Sequence, residues 1–135
     1  VGNPRRAMVF GMTNRLPWTG GDPRNLWKLW DAFGIADSRM IGWWVPSTPV
    51  RTGRPDVLAT TYQRPHRALV AVASWAADSV TVPLTIDWKA LGLDPARARI
   101  TAPAVEGFQP AMTFRPGEAI PVAPGRGWLL LIEQP

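Results

Sequence analysis

Apolar residues along this chain change their spacing once, from a helical period before residue 45 to a strand period after residue 57. Leu26, Leu29, Trp30 and Phe33 recur at three- and four-residue steps and share one face of a helix, which Trp27 widens. Asp22 is placed to cap the first turn, and Pro23 fits the first helical position, where its missing N–H costs nothing. Gly34 stands where a left-handed residue ends a helix. So broad an apolar arc calls for cover on more than one side. Upstream, Gly2, Pro4, Gly11, Pro17, Gly20 and Gly21 break the chain and leave room for one short strand, Ala7 to Phe10. Downstream, Ile35 to Trp44 has room for a second short helical turn before Gly42.

From Val57 onward the period is two. Val80, Val82, Leu84, Ile86 and Trp88 alternate with Thr81, Pro83, Thr85 and Asp87, the pattern of a strand with one buried and one wet face. Pro83 within it predicts an edge or a bulge. Val57 to Gln63 and Ala68 to Ala76 are joined through Arg64, Pro65, His66 and Arg67, a short polar hairpin connection. Ala68 to Ala76 is apolar on both faces and reads as a central strand. Asp87 to Pro95 predicts one turn of helix stopped by Gly92, and further strands are expected at 99–105, 112–115, 119–122 and 127–133. The fold expected is mainly β, an antiparallel β-sandwich of about seven to eight strands with an N-terminal helical segment. Pro, Ser, Thr, Gly and Arg fill residues 46–55, so a boundary is expected there, with a helical and loop segment at 1–45 and the sandwich at 46–135.

Composition narrows the chemistry. The 135 residues give room for one domain, and 46% apolar content with 15 prolines and 12 glycines fits a turn-rich globular chain. No cysteine is present, which excludes disulfides and thiolate metal sites, and a single histidine, His66, excludes an imidazole cluster. No cofactor and no metal are expected. No apolar run approaches the roughly 18 residues of a spanning helix, so no membrane partner is expected, and no leader pattern is present. Val1 in place of an initiator methionine fits a trimmed product or part of a longer one, and the compartment is left open. The net charge of +5 is built largely from arginines placed one by one between Arg5 and Arg126, never in a stripe. A nucleic-acid footprint is normally clustered, so nucleic acid is not expected as a partner.

Hydrolytic chemistry on sugars would need two carboxylates across a cleft. Asp31, Asp37, Asp87, Glu106 and Glu133 are available, but none stands in a paired motif, and no catalytic residue is assigned. His66, in its hairpin, reads as a solvated turn residue. Five of the eight tryptophans fall between Trp18 and Trp44. Indoles stack on the apolar C–H faces of sugar rings, so Trp18, Trp43 and Trp44 are candidate platforms, with Asn14 and Arg15 as hydrogen-bonding neighbours. If extended, adjacent Trp43 and Trp44 would point to opposite faces, leaving one of them to meet a sugar. Trp27 and Trp30 are expected to face a partner layer, and Trp75, Trp88 and Trp128 to lie in the sandwich core.

The runs Gly11 to Arg15, Leu29 to Trp43, Pro49 to Thr52 and Asp87 to Leu93 resemble the carboxyl-terminal part of bacterial glycoside hydrolases related to family 123. In that family a catalytic (β/α)-barrel precedes a β-sandwich. The resemblance implies that residues 1–45 correspond to the last barrel elements and the rest to the sandwich. The barrel strands that carry the acid pair are missing from this sequence, so no catalytic residue transfers. Asn14 and Arg15 would lie in a loop after a late barrel strand, on the side where barrel sites form. The expected function is an accessory sandwich that braces the barrel of a glycoside hydrolase and is inactive alone. Two alternatives stay open: an autonomous carbohydrate-binding module using exposed tryptophan, and a structural or partner-binding domain. The barrel is the expected partner, with carbohydrate as a second. Should the chain exist alone, the Trp27/Trp30 helix must pack on its own sandwich or on another copy of itself, so self-association is a further expectation.

Overall fold

The computed structural model describes residues 8–9, 24–105 and 109–134. Its elements are helix α1 (Arg24–Phe33), a 3-10 turn (Ile35–Asp37), strands β1 (Arg39–Ile41), β2 (Val50–Arg51), β3 (Val57–Arg64), β4 (Arg67–Ser74), β5 (Val80–Pro83) and β6 (Thr85–Ile86), helix α2 (Trp88–Leu91), and strands β7 (Arg99–Ala102), β8 (Met112–Phe114), β9 (Ala119–Val122) and β10 (Gly127–Glu133). Six strands form one antiparallel sheet in the order β1-β3-β4-β10-β7-β8, and the remaining four form two ribbons, β2-β6 and β5-β9. Strand β4 is central, as its two apolar faces require, and all of Ala68 to Ser74 is buried. The two outer strands of the sheet, β1 and β8, are three residues each, which limits the edge open to stray pairing.

The sheet separates two cores. On one face Val57, Ala59, Val70, Val72, Leu130 and Ile132 meet Val50, Val82, Leu84, Ile120 and Val122 of the ribbons, so the sandwich's second layer is the pair of ribbons. On the other face Leu69, Ala71, Tyr62 and Leu129 meet Leu29, Trp30 and Phe33 of α1 together with Met8 and Val9. Alternation along β4 makes this possible: Leu69 and Ala71 point to the helix while Ala68, Val70 and Val72 point to the ribbons.

All seven strands expected from alternation are present, and the architecture is mainly β and antiparallel. Three differences have local causes. The single strand expected from Val80 to Trp88 divides at Leu84: β5 pairs with β9, and β6 with β2. Side-chain alternation continues through the break, with Val82 and Leu84 buried and Thr81, Pro83 and Thr85 exposed. Pro83 sits opposite Ala119 in a ribbon that has only edge strands, where its lack of an N–H is tolerated. The additional strands β1 and β2 are short and carry too few residues for a period to show. Met8 and Val9 lie in helical backbone, which corrects the strand expected at Ala7 to Phe10.

Helix α1 ends as its sequence dictates. Gly34 adopts φ 79°, and its N–H donates to the carbonyls of Trp30 and Asp31 at 2.9 and 3.1 Å. A Cβ there would fall 2.0 Å from Arg64 Nη1, so the glycine also admits that guanidinium. Arg64 donates to the Phe33 carbonyl at 2.8 Å, and Arg67 donates to Phe33 and Ala32 at 2.6 and 3.1 Å. The last turn of α1 has no basic residue of its own. The β3–β4 hairpin thus supplies the cations that a helix C-terminus attracts, and Arg67 also lies 5.0 Å from the centre of the Phe33 ring.

Trp30 is fully buried and its indole N–H reaches Met8 Sδ at 3.2 Å, while Trp27 is half-buried. The partner layer for Trp30 is therefore the chain's own sheet, the first of the two covers expected for a chain that exists alone. Trp75 corrects the expectation of a core position, being 39% exposed past the end of β4, whereas Trp88 and Trp128 pack half-buried against the ribbon-side core. Trp128 meets Phe114 edge to face and donates to the Pro121 carbonyl at 2.7 Å, so its polar end stays at the surface.

The segment at Met8 and Val9 is pinned to the sheet by two hydroxyls. Tyr62 Oη donates to the Met8 carbonyl and Thr60 Oγ1 to the Val9 carbonyl, each at 2.5 Å. Burial raises the Tyr62 phenol above its ordinary value of 10.0. The folded chain thus keeps a proton that the unfolded chain loses, so this contribution to stability is complete below about pH 10 and is lost as pH rises from there toward the folded value. Tyr62 is the sole tyrosine. The ultraviolet absorbance of tyrosinate is expected to appear together with unfolding on alkaline titration, and Tyr62→Phe should flatten the alkaline loss of stability. Ionisation at the ordinary pH with the fold intact would contradict the clamp.

Candidate functional site

Two features stand side by side at the β1 edge of the sheet. The first is the turn after β1. Trp43 and Trp44 occupy it, closed by a hydrogen bond from the Val45 N–H to the Gly42 carbonyl at 3.0 Å. Because the backbone turns here, the two indoles do not alternate to opposite faces. Both are exposed, by 38% and 51%, and meet edge to face with centroids 6.0 Å apart. This corrects the expectation, drawn from extended geometry, that one of them would be hidden. A Cβ on Gly42 would fall 2.5 Å from the Trp44 ring, so the glycine lets that indole fold back over the chain. The turn is held from beneath: the Trp43 N–H donates to Thr60 Oγ1 at 3.3 Å, the same hydroxyl that holds Val9.

The second feature is a groove of about 640 Å³ between β1, the β3–β4 hairpin end and α2. Arg39 and Gln63 are paired in register and so share one face, as do Ile41 and Thr61. The hairpin turns through Pro65 and His66, and His66 takes φ 59°, with proline fixing the residue before it. Opposite, Asp87 caps α2 by accepting from the Ala90 N–H at 3.1 Å, and Gly92 ends it at φ 70°. Two contacts tie α2 to the hairpin: Gln63 Nε2 donates to the Ala90 carbonyl at 2.8 Å, and His66 Nδ1 lies 3.1 Å from the Gly92 carbonyl. Arg39, Arg64 and Lys89 line the groove with Ile41, Pro49 and Leu91, the Arg64 guanidinium turning away to the Phe33 carbonyl, and no carboxylate among the described residues lines it.

The loop between these features and β3 is well tied. Arg51 donates to the Pro46 carbonyl, and Thr52 Oγ1 donates to the Val57 carbonyl at 2.5 Å. Arg54 grips Asp56 through two bonds of 2.8 and 2.9 Å, which hold that carboxyl below the usual carboxylate range.

Of the residues singled out for sugar contact, the structure brings Trp43 and Trp44 together at the surface. Asn14, Arg15 and Trp18 lie outside the described residues, as do Asp22, Pro23, Glu106 and the side chain of Leu26. His66 is an exposed turn residue. Asp87 caps a helix, and among the described residues no group of three or more His, Asp or Glu side chains is placed to hold a metal. The groove cations Arg39 and Lys89 escaped sequence reading because they lie 50 residues apart in sequence, each unremarkable alone.

Fold and surface together define a β-sandwich module with an aromatic turn beside a cationic groove, its helix folded back on the sheet. Residues 22–133 match the family model described as the glycoside hydrolase 123 C-terminal domain, and the chain belongs to that family. It is thus an accessory domain of the glycoside hydrolase kind, which goes with a catalytic domain. No curated protein and no solved structure matches the chain.

Proposed function

We propose that this domain braces the catalytic barrel of a family 123 glycoside hydrolase and carries no catalytic residue of its own. The observation that carries this reading is the clamp on Met8 and Val9. Both residues are fully buried on the helix side of the sheet and held there by Tyr62 and Thr60. In a longer hydrolase, residues 1–45 would then lead from the last barrel elements onto the sandwich, and a body continuing from that clamp would have little freedom to swing. Asn14, Arg15 and Trp18 would lie toward the barrel's substrate side.

The exposed Trp43–Trp44 pair favours a second reading, a carbohydrate-binding module. Aromatic pairs of this kind offer apolar area with two indole N–H donors at their rims. Two assays on the 135-residue chain separate the readings. Bracing without catalysis predicts no turnover of chromogenic glycosides above buffer and no binding across a panel of neutral polysaccharides at millimolar ligand. Binding that Trp44→Ala abolishes would establish the module instead. Turnover that survives repurification would overturn both.

A further inference from the structure

We propose that the groove between β1, the β3–β4 hairpin and α2 binds an anionic saccharide, a sugar ring bearing a sulfate or a carboxylate. Two cations, Arg39 and Lys89, present free charge to it, and among the described residues no carboxylate lines it, while the Arg64 guanidinium is turned to the Phe33 carbonyl on the other face of the sheet. Arg39 and Lys89 are exposed and have no ion-pair partner among the described residues. Cations on one concave surface with no opposite charge among them repel one another, and an anion between them removes that repulsion. The floor is apolar, from Ile41 and Leu91, and suits the C–H face of a ring, while Gln63 keeps its side-chain oxygen as an acceptor after donating to Ala90. About 640 Å³ lies within the usual span of small-molecule sites.

The groove is also built before any ligand arrives. α2 is tied to the hairpin through Gln63 and His66, so the walls of the groove need no ordering on binding. Fully extended phosphate backbones need a longer stripe of charge than two side chains at one groove supply. The saccharide part of the proposal rests on membership of a glycoside hydrolase family, and the anionic part on the cations alone. Neither depends on bracing, which is read separately in the melting of a barrel.

The test is an NMR titration of the 135-residue chain with a sulfated disaccharide, its desulfated counterpart and inorganic sulfate. The sulfated sugar is expected to shift the amides of Gln63, Arg64 and His66 and of Lys89 to Gly92, and to bind about tenfold or more tighter than either control. Arg39→Ala with Lys89→Ala should weaken it by about tenfold or more, whereas Arg97→Ala with Arg126→Ala, which removes the same charge from exposed positions elsewhere, should leave it unchanged. Equal binding of the desulfated sugar, equal loss in both double variants, or shifts confined to the Trp43–Trp44 turn would overturn the proposal. Inorganic sulfate binding as tightly as the disaccharide would overturn its saccharide part.

Discussion

Gln109→Ala is expected to destabilise the fold by about 3 kcal/mol, an effect out of proportion to a polar loop residue. Strand β10 pairs with β7 only from Leu131 to Glu133, so at Leu129 the side of β10 that faces away from β4 has no strand beside it. The Gln109 side chain stands in that place. Its Oε1 accepts from the Leu129 N–H at 2.9 Å, and its Nε2 donates to the Leu129 carbonyl at 3.0 Å and to the Pro103 carbonyl at 2.8 Å. One carboxamide thus imitates a peptide unit of the absent strand. The loop presents it through paired backbone bonds between Val105 and Gln109 at 3.0 and 2.9 Å. Alanine at 109 leaves three backbone groups without these partners, and a buried polar group left unsatisfied costs about 1 to 3 kcal/mol, less where water reaches it. Gln109→Glu keeps the shape but removes the donors and adds a charge at a buried position, so it should be at least as damaging. Urea unfolding should show a lowered midpoint at unchanged slope, with hydrogen exchange at Leu129 rising selectively. A loss under about 1 kcal/mol, with the Leu129 amide still protected, would contradict this account.

Trp30→Ala should cost about 3 to 5 kcal/mol and loosen α1 as a unit. This indole fills the space between α1, the sheet and Met8, and it is the largest fully buried side chain among the described residues. Its removal leaves a cavity between a one-layer helix and a rigid sheet, where collapse is limited because Arg64 and Arg67 hold the helix's end in place. Trp30→Phe keeps most of the apolar area and loses the contact with Met8 Sδ, so a cost of about 1 kcal/mol is expected. Exchange at the α1 amides should rise in Trp30→Ala ahead of exchange in β4 and β10. An unchanged midpoint in urea would mean that the helix does not pack on the sheet through this residue.

Much of this architecture was legible in the sequence, and the parts that were not share a physical reason. Alternation located β3, β4, β7, β8, β9 and β10, and helix-stop chemistry located Gly34 and Gly92, because both signals are local. Periodicity also showed that Leu29, Trp30 and Phe33 must be covered. It could not show by what, since a stripe of apolar residues carries no address, and the cover is Leu69, Ala71 and Leu129 of the same chain. Val80 to Ile86 kept one alternation while changing partners, because pairing partners are set by tertiary placement and not by side-chain period. At the surface, Trp43 and Trp44 were legible as candidates but their joint exposure depends on a turn. Gln109 gave no signal at all: Gly107 and Pro110 around it read only as a loop, and its role exists because β7 ends short.

The central claim is that this domain steadies a catalytic barrel through the clamp on Met8 and Val9. It is tested most directly by thermal unfolding of a family 123 hydrolase carrying this domain, with and without Thr60→Val and Tyr62→Phe. The paired substitutions remove both buried hydroxyls from the clamp and should lower the melting temperature of the barrel by several degrees, with the sandwich still folded. A barrel that melts at the same temperature with the clamp broken would contradict the bracing role.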